Sequence, residues 1–156
     1  MGKQSSGILL YRKAGKDIEV FLVHPGGPFW AKKDIHSWSI PKGEFGENED
    51  PFETALREFR EETGSVISGK FISLNPVRQK GGKTVYCYAV EGDLDPSNLE
   101  SNTFTMEWPP KSGKMAEFPE VDRGEWFPAK AAMNKINESQ IGLIKELAER
   151  LNIIFK

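Results

Sequence analysis

The stretch from Pro51 to Thr63 reads as an amphipathic helix that must lie against a larger apolar surface. Phe52, Ala55, Leu56 and Phe59 fall at i, i+3, i+4 and i+7, a stripe suited to packing on a sheet. Both ends are signalled: Asp50 can cap, Pro51 takes the first helical position, Glu53 completes a capping box and Gly64 can end the helix in the left-handed conformation. On another sector Glu58, Glu61 and Glu62 fall at i, i+3 and i+4. Like charges at those spacings repel and cost helix stability. Three carboxylates converging on a point suit a hard divalent cation such as Mg²⁺, which takes oxygen ligands octahedrally. A solvated acidic face is the plainer reading of such a run.

The wider register decides between these readings. Gly43, then Glu49, then Arg57-Glu58-Phe59-Arg60-Glu61-Glu62-Thr63-Gly64 form one block whose spacing resembles the Nudix box, the signature of hydrolases that cleave a nucleoside diphosphate linked to another group. Phe59 and Ser65 stand where the box normally has aliphatic residues, and every expected carboxylate is present.

Length and composition fit one α+β domain spanning residues 1–156, of soluble globular type, with 38% hydrophobic and 28% charged residues. A net charge of −2 gives no electrostatic pull toward nucleic acid or an anionic membrane, so a polyanionic substrate needs local cations. Cys87 is the lone cysteine, which excludes an intrachain disulfide and fits a reducing, cytoplasmic setting. No apolar run reaches membrane-spanning length. Met1-Gly2 followed by Ser6 formally fits an N-myristoylation pattern. Nothing in the pattern specifies an oligomer.

Along the chain, 6–12 and 18–24 read as a β-hairpin turned at 13–17, and 70–78 with 83–91 as a second, turned at Lys80-Gly81-Gly82. Residues 29–35 read as a loop, 36–40 as a short strand and Pro41-Lys42-Gly43 as the loop leading into the helix. Residues 92–122 are the least regular, with one short strand near 104–108. A strand at Glu125-Trp126-Phe127, a helix near 129–136 and an amphipathic helix over about 139–151 follow.

The resemblance implies a Nudix-type α/β/α sandwich with a mixed β-sheet and a loop–helix–loop catalytic motif. Carried over position by position, Glu61 and Glu62 would hold Mg²⁺ (or Mn²⁺), and Glu58 would be a third ligand or an orienting base. The backbone carbonyl of Lys42 would add a metal contact, and Glu49 and Arg57 would brace the loop between Gly43 and Gly64. The family draws its general base from the Glu58 position or from a later loop. Glu120 is the candidate for the latter, with Glu117 as fallback.

Pro41-Lys42-Gly43 is similar to diadenosine tetraphosphate hydrolases and to diphosphoinositol polyphosphate phosphohydrolases. Nucleoside-triphosphate-sanitising members usually have a second glycine at the lysine. A cation there suits a long phosphate chain, with Arg78, Lys80, Lys83, Lys32 and Lys33 as possible additions to the field. Tyr86, Tyr88, Phe29 and Trp30 could stack on a base, although strand aromatics are more often core. His24 and His36 are given ordinary hydrogen-bonding roles. The expected activity is Mg-dependent hydrolysis of dinucleoside polyphosphates, such as diadenosine tetraphosphate to ATP and AMP. The alternatives are a house-cleaning (deoxy)nucleoside triphosphate or nucleotide-sugar pyrophosphatase and a non-catalytic nucleotide sensor. RNA decapping is disfavoured because no basic stripe is present.

Overall fold

The computed structural model describes residues 3–154; Met1 and Gly2 of the myristoylation pattern lie outside them. Strand β1 (Gln4–Ala14) is buried on both faces for most of its length, which is why it reads as a continuous apolar run. It turns at Gly15, whose φ of 65° suits glycine, into antiparallel β2 (Asp17–Pro25), with Tyr11 opposite Val20. Along its other edge β5 (Thr84–Glu91) runs parallel, from Gln4↔Thr84 to Tyr11↔Glu91. β4 (Ile72–Arg78) pairs with β5 and β8 (Val121–Pro128) with β2, both antiparallel, giving the mixed order β4-β5-β1-β2-β8.

β2 pairs with β1 only over residues 11–14. The first half of that edge is taken by β3 (Lys42–Phe45), antiparallel, with Ser6 opposite Gly43 and Gly7 opposite Lys42. Ser39 and Val23 exchange backbone hydrogen bonds of 3.0 and 2.9 Å, and Ile8 N–H donates to Pro41 O at 3.1 Å. Residues 39–45 therefore wedge into the gap where β1 and β2 part. Two expectations change here. Lys42 and Gly43 are strand rather than loop, because the vacant edge of β1 supplies partners that Pro and Gly do not advertise. Residues 36–40 make only isolated bridges, Val23↔Ser39 and Trp38↔Ile136, since His36 at φ 56° breaks the extended run.

Side chains alternate between the two faces of the sheet. Ile8, Leu10, Phe21, Val23 and Val90 meet Ala55 and Phe59 of helix α1 (Pro51–Thr63). Leu9, Val20, Leu22, Val85 and Cys87 pack on the other side against α2 (Ala129–Lys135) and α3 (Ile141–Arg150), through Ala132, Leu143, Ile144 and Leu147. The result is an α/β/α sandwich. Burial holds the Cys87 thiol well above its ordinary pKa, so it is a packed small residue rather than a nucleophile.

Within the stretch expected to be irregular, β6 (Thr103–Glu107) and β7 (Met115–Pro119) form their own two-stranded sheet, with Phe104 opposite Phe118. β7 escaped the sequence because its inward residues, Ala116 and Phe118, are only two, beside an exposed Met115 and a turn dense in Pro, Lys and Gly.

Gln140, fully buried just before α3, fixes the segment leading into β3. Its Oε1 accepts from Ile40 N–H at 3.1 Å, and its Nε2 donates to Ser39 Oγ at 3.0 Å. Gln140→Ala orphans a buried backbone donor, a loss of about 1–3 kcal/mol. Urea unfolding should show that loss at an unchanged m-value; a change under 0.5 kcal/mol would mean that water replaces the amide.

Candidate active site

The acidic helix is fixed at both ends by its own sequence. Asp50 Oδ2 accepts from Glu53 N–H at 3.0 Å, with Pro51 in the first turn. Gly64 closes the helix at φ 79°, and its N–H donates to Arg60 O at 2.8 Å. A Cβ there would lie 3.0 Å from Glu100 O and 2.9 Å from Glu100 Cβ, so conformation and space both demand glycine. Gly43 answers to the site itself: a Cβ would come within 2.0 Å of Glu58 Oε1. The Glu58 carboxylate lies directly on the β3 backbone.

Arg57 gathers three acids. Its Nη1 donates to Glu49 Oε2 at 3.1 Å and its Nη2 to Glu58 Oε2 at 3.4 Å, while its Nε stands 3.8 Å from Glu61 Oε2. The other Glu49 oxygen accepts from Gly46 N–H at 3.0 Å, and that bond, followed by the single hydrogen bond from Arg57, holds the Glu49 carboxyl below its usual range. Glu49 thereby ties the loop to the helix. Both partners are over 40% exposed, so the geometry matters more here than the energy of the pair.

Burial, then the charge of Glu58, pushes the Glu62 carboxyl up to about 8, while the ammonium and backbone N–H of Lys42 pull the other way. Glu58 is raised first by burial and next by Glu61. Lys42 is lowered, first by burial, with Lys83 adding like charge and Glu62 opposing. Glu120 acts on both Glu58 and Glu62 as a like charge. Its backbone is held in place by a relay: Asn102 N–H donates to Glu61 O (2.8 Å), Glu120 N–H to Asn102 O (2.8 Å) and Gly26 N–H to Glu120 O (2.9 Å).

The helix carboxylates do not stand as a ready-made ligand shell. Among the described residues no three acidic, His or Cys side chains gather in metal-holding geometry. The expected convergence is relaxed because the anions repel one another and two of them lean on Arg57. The donor set nonetheless fits a hard divalent cation. All donors are oxygens, Glu61 Oε2 is buried without a hydrogen-bond partner, and Glu62 sits where added positive charge relieves repulsion.

The remaining candidates divide. Tyr86 lies in register with Ser6 and Gly43, its ring 5.7 Å from Phe45 and its hydroxyl accepting from Gln4 Nε2 at 3.3 Å. Arg78 and Lys80 line a separate cavity of about 600 Å³ with Lys83 and His36. Lys83 links that cavity electrostatically to Lys42. Glu117 is exposed on β7 opposite Thr105. Tyr88 packs on Phe52, whereas Phe29 and Trp30 are exposed. His24 is fully buried, with Nδ1 2.9 Å from Asp122 and Nε2 2.7 Å from Lys33 O. The Gln140 and Asn102 contacts carry no sequence signal, since isolated amides look like loop residues.

The family model of the NUDIX domain matches residues 1–147. The bis(5'-nucleosyl)-tetraphosphatase [asymmetrical] of Mus musculus is 33% identical over 103 residues, covering 58% of this chain. The matched region spans 66% of that relative's length, just under two thirds. Among solved structures, a C. elegans Ap4A hydrolase binary complex superposes with a TM-score of 0.63 at 17% identity, covering 95% of this chain and 98% of its own. The NUDIX domain of Shewanella oneidensis NrtR complexed with ADP ribose gives 0.65 at 19%, covering 97% and 89%. At those identities the structures speak for the fold alone.

For Glu62 the sign of the pH effect follows from its raised native pKa. The native state holds a proton that the unfolded chain releases near 4.5, so metal-free stability falls as pH rises from about 4.5 to about 8. Glu62→Gln removes that loss. With a chelator present, the variant should match wild type near pH 5 and exceed it near pH 8 by on the order of 1 kcal/mol, roughly 2–4 °C in Tm. A difference independent of pH would contradict this electrostatic account.

Proposed function

The chain belongs to the NUDIX domain family, and from that premise we propose that it is a divalent-metal-dependent pyrophosphohydrolase acting on dinucleoside polyphosphates, with diadenosine tetraphosphate cleaved to ATP and AMP. Glu61 and Glu62, with Glu58 and the Lys42 carbonyl, would hold Mg²⁺ or Mn²⁺. When bound, the metal supplies charge neutralisation at the diphosphate and acidifies water. Glu58 and Glu120 are the carboxylates placed to orient water and take its proton. Arg57 and Glu49 keep the β3–α1 loop against the helix, so that the Gly43 backbone and Glu58 stay in contact.

The observation that carries the substrate class is Lys42. This half-buried cation stands among Glu62, Glu58 and Glu44, and among the described residues its ammonium forms no ion pair. Lys83 continues the positive field toward the cavity of Arg78 and Lys80. A long phosphate chain carries charge beyond what metals neutralise, and these lysines would meet it. The tetraphosphatase relative supports the same reading. Intact carboxylates weigh against a non-catalytic sensor. The buried Cys87 thiol is compatible with a cytoplasmic setting, and no helix among the described residues is long and apolar enough to cross a membrane.

Purified chain with Mg²⁺ should be assayed against dinucleoside polyphosphates, nucleoside triphosphates and nucleotide sugars. Diadenosine tetraphosphate should give the highest kcat/KM, with ATP and AMP as products, and Glu61→Gln and Glu62→Gln should each abolish turnover. Lys42→Gly should cost about 1–3 kcal/mol of transition-state binding, mainly on the tetraphosphate. Equal losses on tetraphosphate and triphosphate, or a wild-type preference for triphosphates, would favour the house-cleaning reading.

A further inference from the structure

The last turn of α1 leaves carbonyls that no N–H of its own can reach. Residues 100–102 supply the donors: Glu100 N–H bonds Thr63 O at 2.9 Å and Asn102 N–H bonds Glu61 O at 2.8 Å. Donors at that end also offset the helix dipole, which stands unfavourably beside Glu61 and Glu62. Upstream the same segment is fastened to β8. Trp126 Nε1 donates to Leu94 O at 3.0 Å, and a Cβ at Gly124 would come within 2.9 Å of Leu99 Cδ1. Residues 94–102 are therefore a strap between β8 and the acidic end of α1.

Ser101 joins this strap to the start of β8. Its Oγ accepts from Val121 N–H at 3.0 Å and donates to Asn102 O at 2.8 Å, the same oxygen that takes Glu120 N–H. The β2–β8 ladder shifts register between His24 and Pro25, where Val121 stands opposite Pro25, and the N–H of buried Val121 is taken by the serine. The peptide plane between Glu120 and Val121 is gripped at both ends, its carbonyl by Gly26 N–H at 2.9 Å and its own N–H by Ser101. With Glu120 N–H fixed as well, neither peptide flanking Glu120 is free to rotate, and the direction of its Cα–Cβ bond is set.

We propose that Ser101 is a positioning residue for the hydrolysis, holding Glu120 at the angle that keeps its carboxylate beside the acidic face of α1. The charge of Glu120 is felt at both Glu58 and Glu62, yet its exposed side chain makes no hydrogen bond or ion pair among the described residues, so only the backbone can aim it. A hydroxyl suits the task because one atom both accepts and donates, and linked hydrogen bonds strengthen one another.

This role rests on the reading of Glu120 as the carboxylate that takes a proton from water. Ser101→Ala, Glu120→Gln and the double variant are assayed on whichever phosphoric anhydride the wild-type chain cleaves fastest, with Mg²⁺ affinity measured calorimetrically on each. Ser101→Ala should lower kcat roughly 10- to 100-fold, as a displaced catalytic group does, with KM and Mg²⁺ affinity unchanged. Glu120→Gln should lose at least as much, and the double variant no more than Glu120→Gln alone, because the serine acts only through the glutamate. Ser101→Thr, which keeps the hydroxyl, should retain most of kcat, whereas Ser101→Cys, a weak hydrogen-bonder, should not. Ser97→Ala, on the same strap but bonded to Asp95, should match wild type. Losses that add in the double variant overturn the role, as does a fall in Mg²⁺ affinity that matches the fall in kcat and so routes the effect through α1. A lower Tm with kcat unchanged overturns it too, and makes the serine a fastening of the fold. Full activity in Glu120→Gln removes Glu120 and the role with it, and leaves the pyrophosphohydrolase reading standing. Only a wild-type chain that cleaves no anhydride overturns both.

Discussion

The active-site geometry depends on the edge of β1 that β2 abandons. Were β2 to follow β1 to its first residue, no backbone partners would remain for residues 39–45. Instead β3 takes residues 4–7 of that edge, and Gly43 is carried beneath α1 opposite Ser6. Ser6 Oγ donates to Pro51 O at 2.6 Å, which ties the same strand to the first turn of the helix. Strand, glycine and helix are thus in register before any ligand arrives, and the Glu58 carboxylate rests against the Gly43 backbone.

On this frame the acids are kept close against their repulsion. Apolar burial of Phe59 and Ala55 sets the rotation of the helix, and the carboxylates follow. Arg57 offsets part of the repulsion, touching Glu49, Glu58 and Glu61 but not Glu62, which carries the largest shift in the group. Concentrating the imbalance on one half-buried carboxylate leaves a strong local demand for a cation, at a cost to the metal-free fold.

Much of this was legible in the residues, unevenly and for physical reasons. Asp50, Pro51 and Gly64 bounded α1 because capping chemistry is local, and Gly15 and Gly81 marked hairpins for the same reason. Features set by distant partners were not legible. Lys42 and Gly43 look like loop until β1 provides an edge, and β7 is a strand only because Phe104 lies opposite Phe118. Only its place before the last strand points to Glu120, and the Asn102 relay that holds its backbone joins segments roughly 20 to 90 residues apart. Arg78 and Lys80 read as part of the phosphate field yet line their own cavity with His36.

His24 has a role in the loop that follows it. The Lys33 carbonyl can only accept, so His24 Nε2 carries the proton between them, while Nδ1 faces Asp122 at the start of β8. Gly26 is tied to Glu120, and Lys33 to a histidine with no exposed surface. Residues 26–33 therefore form a short closed loop, one foot tied to the turn that enters β8 and the other to β2. Such a loop has already surrendered most of its chain entropy on folding, so any contact made through its side chains would freeze little more of the backbone.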